Sequence, residues 1–180
     1  KNKNPQSGIQ MTENYFQSVG NATPMLLNTP PNRKGLLEES YIESLREFRS
    51  ILDNTFAANV TKGARAVASS TYKNSPSYTA DNVINGDYDS YWAADERQNT
   101  GSVTVYLDGT QQFDLIDIKE YIPLGQNVSD YEVEVRVNGA WKAFGRTGGS
   151  TRKSKKTIGY QSILRDNPVN ADAIRLTVKG

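Results

Sequence analysis

Neither cysteine nor histidine occurs among the 180 residues. Their absence excludes a thiolate or imidazole metal centre and a Ser-His-Asp triad. It leaves the redox compartment open, since a cysteine-free chain permits secretion without requiring it. No apolar run approaches the ~18 residues of a membrane span. An excess of charge of one sign is also lacking: 21 basic and 20 acidic side chains leave a formal charge of +1. That balance gives no argument for a nucleic-acid partner or an anionic membrane. The basic run Arg152-Lys153-Ser154-Lys155-Lys156 is local and reads as a solvated loop. The chain opens Lys1-Asn2-Lys3-Asn4-Pro5 without a signal-peptide pattern, which suits the interior of a longer protein.

What is present divides into two unequal parts. Lys1 to about Gly8 is polar and aperiodic and reads as frayed. Met11, Tyr15 and Val19 have helical spacing. Met25-Leu26-Leu27 lies between turn residues and suits a buried strand, closed by Pro30-Pro31. Ser40 and Glu43 form a capping-box pattern, and Tyr41, Leu45, Phe48 and Leu52 then share one face, so a helix is predicted from about Tyr41 to Thr55. From Thr61 onward short alternating segments replace the helical period. Val103, Val105 and Leu107 share a face, as do Ile116, Ile118 and Ile122, and Ile174, Leu176 and Val178. Tyr131 to Val137 and Ala140 to Phe144 form a hairpin through Asn138-Gly139. The pattern is that of an antiparallel sandwich after a boundary near Ala57 to Thr61. Trp92 and Trp141 are assigned to its core.

Ala80 to Trp92, "ADNVINGDYDSYW", resembles the opening of factor five/eight type C (discoidin) domains, which include the carbohydrate-binding modules of family 32. Ala80, Asn82, Ile84, Gly86, Asp87, Ser90 and Trp92 fall in register with that pattern. Further stretches resemble the α-L-fucosidases of glycoside hydrolase family 29: "YFQSVGNA", "LLNTPPNRKGLLEESYIESLREF", "NGDYDSYWAADE", "KEYIPLGQNV" and "TIGYQSI", in one collinear order. The resemblance implies a mainly β fold, a galactose-binding-like jelly-roll β-sandwich preceded by a short α/β remnant of a (β/α) barrel. Residues 1–57 would be the last strand and helix of the catalytic barrel, and 58–180 the sandwich. It further implies a bacterial parent enzyme that is secreted or periplasmic. Pro123-Leu124-Gly125-Gln126 would connect two sandwich strands in a loop able to face the catalytic domain.

A retaining glycosidase needs two carboxyl groups ~5 Å apart, and a whole barrel takes about 250 residues. The family's catalytic carboxylates lie in barrel segments with no counterpart here, so no catalytic residue is assigned and the chain alone is expected to be inactive. Asp95-Glu96 reads as a solvated or interdomain pair, because adjacent side chains on a strand point apart. A structural calcium is the one cofactor implied, held by oxygens of Asn82, Asn85, Asp87 and Ser90. Two departures weaken it: Asn85 replaces the family's Asp, and the family's Glu after the last strand falls at Gly180. The competing reading is a turn held by Asx hydrogen bonds. For carbohydrate, the galactose-binding constellation is not carried over, since Ala93 and Leu124 stand where its His and Arg are expected. The remaining candidates are Tyr72, Tyr78, Tyr91, Glu120, Tyr121 and Arg165, the aromatics doubling as candidates for core or interface. Three readings follow: a noncatalytic module that braces a fucosidase's own catalytic domain and holds fucosylated or galactose-containing glycans, an autonomous lectin-like module, or a purely structural support. The sequons at Asn21, Asn59 and Asn127 read as chance.

Overall fold

The computed structural model describes residues 5–145 and 157–180, so the basic run at 152–156 lies outside the described residues. The chain divides into two compact units, with the division between Asn59 and Val60.

The first unit holds two helices, α1 (Gly8–Ser18) and α2 (Glu39–Thr55). Ser7 caps α1 reciprocally: its Oγ accepts from the Gln10 amide while the Gln10 side chain accepts from the Ser7 amide. The fraying expected up to Gly8 is therefore corrected at Ser7 and Gly8. Gly8 lies so close to α2 that a Cβ there would stand 2.6 Å from the Phe48 nitrogen. Its amide donates to Glu47 Oε2 at 2.7 Å, which places a carboxylate at the positive end of α1. Met11 and Phe16 are buried, and Tyr15 meets Phe48 edge-on.

The α2 helix carries the expected apolar face but begins earlier than expected. Glu38 is its N-cap, without a side-chain bond, so Ser40 and Glu43 sit inside the helix and form no capping box. Met25 to Leu27 form no strand, and Leu26 is 94% exposed. A strand is stable only with a ladder partner, and no strand occurs among the described residues of this unit.

The second unit is one antiparallel sheet of β1 (Arg65–Ala68), β2 (Thr100–Ile118), β3 (Asp130–Val137), β4 (Ala140–Ala143) and β5 (Ser162–Lys179), ordered β1-β2-β5-β3-β4. The two segments expected at 102–107 and 115–122 are one strand, β2, interrupted by irregularities between Tyr106 and Gln111 and between Phe113 and Leu115. Such irregularities bend a strand. The bend lets the far ends of β2 and β5 fold back: Phe113, Ile116, Ile118 and Val169 pack on the core of Tyr131, Val133, Val135, Phe144, Ile158 and Leu164. This is how one sheet supplies a discoidin-like sandwich.

The β3–β4 hairpin turns at Asn138 (φ 51°) and Gly139 (φ 78°), the paired positive values of a type I′ turn. Its register sets Trp141 opposite Arg136, on the face away from Val133 and Val135. Trp141 is therefore outside the core, with Arg175 4.2 Å over its ring and Arg136 and Arg175 paired to Asp172 and Glu134. Trp92 packs inward beneath Gly101 and donates from Nε1 to the Ser70 carbonyl at 3.0 Å.

Candidate functional site

Between β1 and β2 the chain makes short 3-10 turns and then the Asn85-Gly86 turn, where Gly86 takes φ +78°. These segments are tied to one another through the strand ends. The Tyr72 amide donates to the Ala93 carbonyl at 2.8 Å, and the Asp95 amide to Ser70 Oγ at 3.1 Å.

Four candidate tyrosines come together here. Tyr72 meets Tyr78 edge-on at 5.6 Å, Tyr78 meets Tyr91 at 5.1 Å, and Tyr91 stacks on Tyr121 at 4.5 Å with 16° between planes. Each is partly buried. Partial burial, reinforced by the Tyr78 hydroxyl, raises the Tyr91 phenol above its ordinary value. Lys73 lies 4.9 Å over the Tyr72 ring at one end of the row, and Lys119 4.3 Å over the exposed Tyr88 ring.

Glu120 neighbours this row but its carboxylate is turned to the backbone. It accepts from the amides of Asn127, Val128 and Gly159, the last two at 2.8 and 3.2 Å. It thus fixes the connection after β2, the Ile122–Leu124 turn and the segment before β5 in one arrangement. Gln126 reinforces it with a bond to Thr157. Arg165 stands on β5 opposite Leu115, farther up the ladder, and is not a member of the ring-contact row. The sequence reading leaves out Tyr88, Lys119 and Tyr160. The available signal was adjacency, since Tyr88 and Tyr91 share "DYDSY" and Lys119 precedes the Glu120-Tyr121 pair.

The four residues named for calcium also share one turn. The Asn82 amide group donates to two carbonyls, Ser77 at 2.8 Å and Tyr91 at 2.9 Å. Asn85 Nδ2 donates to Ser90 Oγ at 2.8 Å, and Asn85 Oδ1 accepts the Asp87 amide at 2.8 Å. Asp87 Oδ1 accepts the Asp89 amide. Two amide NH₂ groups therefore point at oxygens that a cation would need, and of the four residues Asp87 alone supplies a carboxylate. Among the described residues no group of three or more carboxylates is placed to hold a metal. As arranged, the donor set does not fit a six- to eight-oxygen calcium shell. Nearby, Asp95 is bidentate to Arg97, and these bonds lower its carboxyl to about 2.

Comparison with known proteins gives this geometry a context. Residues 65–180 match the F5/8 type C domain family. Alpha-L-fucosidase 1 of Arabidopsis thaliana is 28% identical over 163 residues, 90% of this chain and 32% of its own length. A Ruminococcus gnavus family 29 fucosidase in complex with fucose superposes with a TM-score of 0.86 at 28% identity, over 97% of this chain and 34% of that one. A putative α-L-fucosidase from Bacteroides thetaiotaomicron gives 0.83 at 28% identity, over 97% and 37%. The chain thus spans about a third of the length of the relatives it matches. It belongs to the F5/8 type C domain family and is homologous to the α-L-fucosidases of glycoside hydrolase family 29.

Proposed function

We propose that this chain is the noncatalytic C-terminal part of a bacterial α-L-fucosidase, residues 1–57 closing the catalytic barrel and 58–180 bracing it. The observation that supports this most is the continuity of the match. It runs through both units over 97% of the chain at a TM-score of 0.86, while filling only 34% of the fucosidase. A domain that merely shared the sandwich fold would align over the second unit alone.

The barrel reading also accounts for the first unit. Leu26 and Leu36 are 94% and 62% exposed, and no residue of α2 is buried. In a barrel these side chains would meet neighbouring strands and helices, each recovering roughly 1.5–3 kcal/mol on burial.

A second reading, binding of fucosylated or galactose-containing glycans, is favoured by the convergence of Tyr72, Tyr78, Tyr91 and Tyr121 at one end of the sandwich. Their hydroxyls suit sugar hydroxyls. Holding glycan near a catalytic domain raises its effective concentration without new chemistry. The Asn82–Ser90 turn in this reading is held by its own amide hydrogen bonds in place of calcium.

The test has two arms. The 180-residue chain should not cleave an aryl α-L-fucoside, whereas the parent enzyme should, with a lower melting temperature when 60–180 is deleted. A parent without turnover overturns the fucosidase reading. Titration of the isolated chain with L-fucose, galactose and N-acetyllactosamine decides the glycan reading, which fails if no sugar shifts its spectrum.

A further inference from the structure

We propose that the outer face of the sheet, around Tyr106 and Trp141, binds a neutral oligosaccharide of about three sugar residues. This site is separate from the tyrosine row and does not depend on the fucosidase reading. The register sets Arg65, Tyr106, Ala173, Arg136 and Trp141 in one row across all five strands. Distances between side chains bear out the row. Arg65 lies 4.6 Å and Arg136 5.4 Å from the Tyr106 ring centre, and Arg136 and Arg175 lie 5.9 and 4.2 Å from that of Trp141. Asp172 and Glu134 hold the guanidiniums of Arg136 and Arg175 by paired hydrogen bonds.

Core packing does not account for Trp141. Trp92 lies inward and gives its indole N–H to the Ser70 carbonyl. Trp141 is half-buried on the outer face, and its N–H has no hydrogen-bond partner among the described residues. A ring with a polar edge, held in place by stacked guanidinium yet left partly open, is a recognition feature.

The ion pairs decide the charge of the ligand. Arg65, Arg136 and Arg175 share this face with Glu132, Glu134 and Asp172, so its formal charges cancel. Arg136 and Arg175 spend Nε and Nη2 on their carboxylates, which leaves each Nη1 and Glu134 Oε1 without a partner among the described residues. An N–H donor beside a carboxylate oxygen suits adjacent sugar hydroxyls, one accepting and the other donating. An apolar protein surface would bury these groups unsatisfied. An anion would find Arg136 and Arg175 already neutralised. The apolar C–H face of a pyranose rests against the partly exposed rings, while the polar groups fix its orientation. In the order β2-β5-β3-β4, Tyr106 and Trp141 stand three strand intervals apart, roughly 14 Å, which about three pyranose residues of ~5 Å each would span.

The chain has two tryptophans, so their indole N–H signals in NMR locate the binding. On titration with fucosyllactose or cellotriose, both neutral trisaccharides, the Trp141 signal should move and saturate while that of Trp92 stays. L-fucose alone, and sialyllactose with its carboxylate, should each bind roughly tenfold more weakly. Tyr106→Ala and Trp141→Ala should each weaken the neutral trisaccharide roughly tenfold, an unmoved Trp92 signal showing the sandwich intact. Where either variant does not fold, Glu134→Gln serves: it leaves Arg175 a net cation and should shift the preference toward sialyllactose. A Trp141 signal unmoved by both neutral trisaccharides overturns the site, as does tighter binding of sialyllactose to the unaltered chain. Movement confined to Tyr91 and Tyr121 would give the glycan to the tyrosine row, overturning this face while supporting the second reading above. Broadening of the Trp141 signal with chain concentration, in the absence of sugar, would give the face to a second copy and likewise overturns the proposal.

Discussion

Replacing Glu120 separates a scaffold residue from a sugar contact. Its carboxylate accepts three backbone N–H bonds, from Asn127, Val128 and Gly159. A hydrogen bond to a charged group contributes about 1.5–3 kcal/mol. The Asn127 amide lies in an exposed residue and regains water when the carboxylate is lost, so the three bonds do not sum fully. Glu120→Ala should destabilise the sandwich by about 3 kcal/mol, or ~10 °C in Tm for a unit of this size. Glu120→Gln keeps one good acceptor and should cost about a third of that, because its NH₂ must face at least one of the donors. Thermal melts followed by circular dichroism give the first number. Amide hydrogen exchange at Asn127, Val128 and Gly159 gives the second: all three should speed up in the alanine variant. A Glu120→Ala protein melting within ~2 °C of the parent sequence, with those amides unchanged, would refute the scaffold role. Loss of sugar affinity at unchanged stability would return Glu120 to the list of ligand contacts.

Other expectations follow from packing and charge. Val135 is 1% exposed at the centre of the core, and Val135→Ala should cost about 2–3 kcal/mol in urea denaturation, through lost burial and a residual cavity. Asp95 titrates at about 2 because of its bonds to Arg97, below its ordinary 3.8. The Asp95–Arg97 contribution is thus fully present above pH 3.8 and is lost as pH falls through about 2. Arg97→Ala should raise the Asp95 carboxyl back toward 3.8 in an NMR titration and remove its share of the stability lost between pH 3.8 and about 2. A chelator should leave the melting temperature unchanged, since the Asn82–Ser90 turn closes on its own amides; a drop reversed by added calcium would establish the metal site.

The elements legible in the sequence are those set by local rules. Asn138-Gly139 dictates a two-residue turn, and α2 declares its face through a 3.6-residue period. The register of that same hairpin also carried information: a two-residue loop pairs Val137 with Ala140 and hence Arg136 with Trp141. Parity along the strand therefore puts Trp141 on the outer face, although a tryptophan suggests the core by residue type. The bend in β2 was hidden because its irregularities break the alternation that marks a strand, so one element reads as two. For Met25 to Leu27 the apolar run is plain in the sequence, but a strand is a property of a pair.

The candidate site divides in the same way. Tyr72, Tyr78, Tyr91 and Tyr121 were visible as residue types, yet their row depends on contacts between separate loops, which spacing does not encode. Glu120 drew attention as a charged group beside an aromatic, where a carboxylate facing three backbone amides is indistinguishable from one facing a ligand.

The position of β5 in the sheet has a consequence for biogenesis. It is the last of the five strands in order but lies between β2 and β3, pairing Thr100 with Lys179 and Tyr131 with Val178. On the ribosome, β1 to β4 emerge with their central partner still unmade, and the hydrophobic edges of β2 and β3 have nothing to close them. The sandwich cannot form its core until residues 162–179 have left the exit tunnel, so its folding waits on contacts distant in sequence. A stop codon a few residues before Ile174 would remove the strand segment that β2 and β3 share, releasing an unfolded polypeptide to proteases in place of a trimmed module.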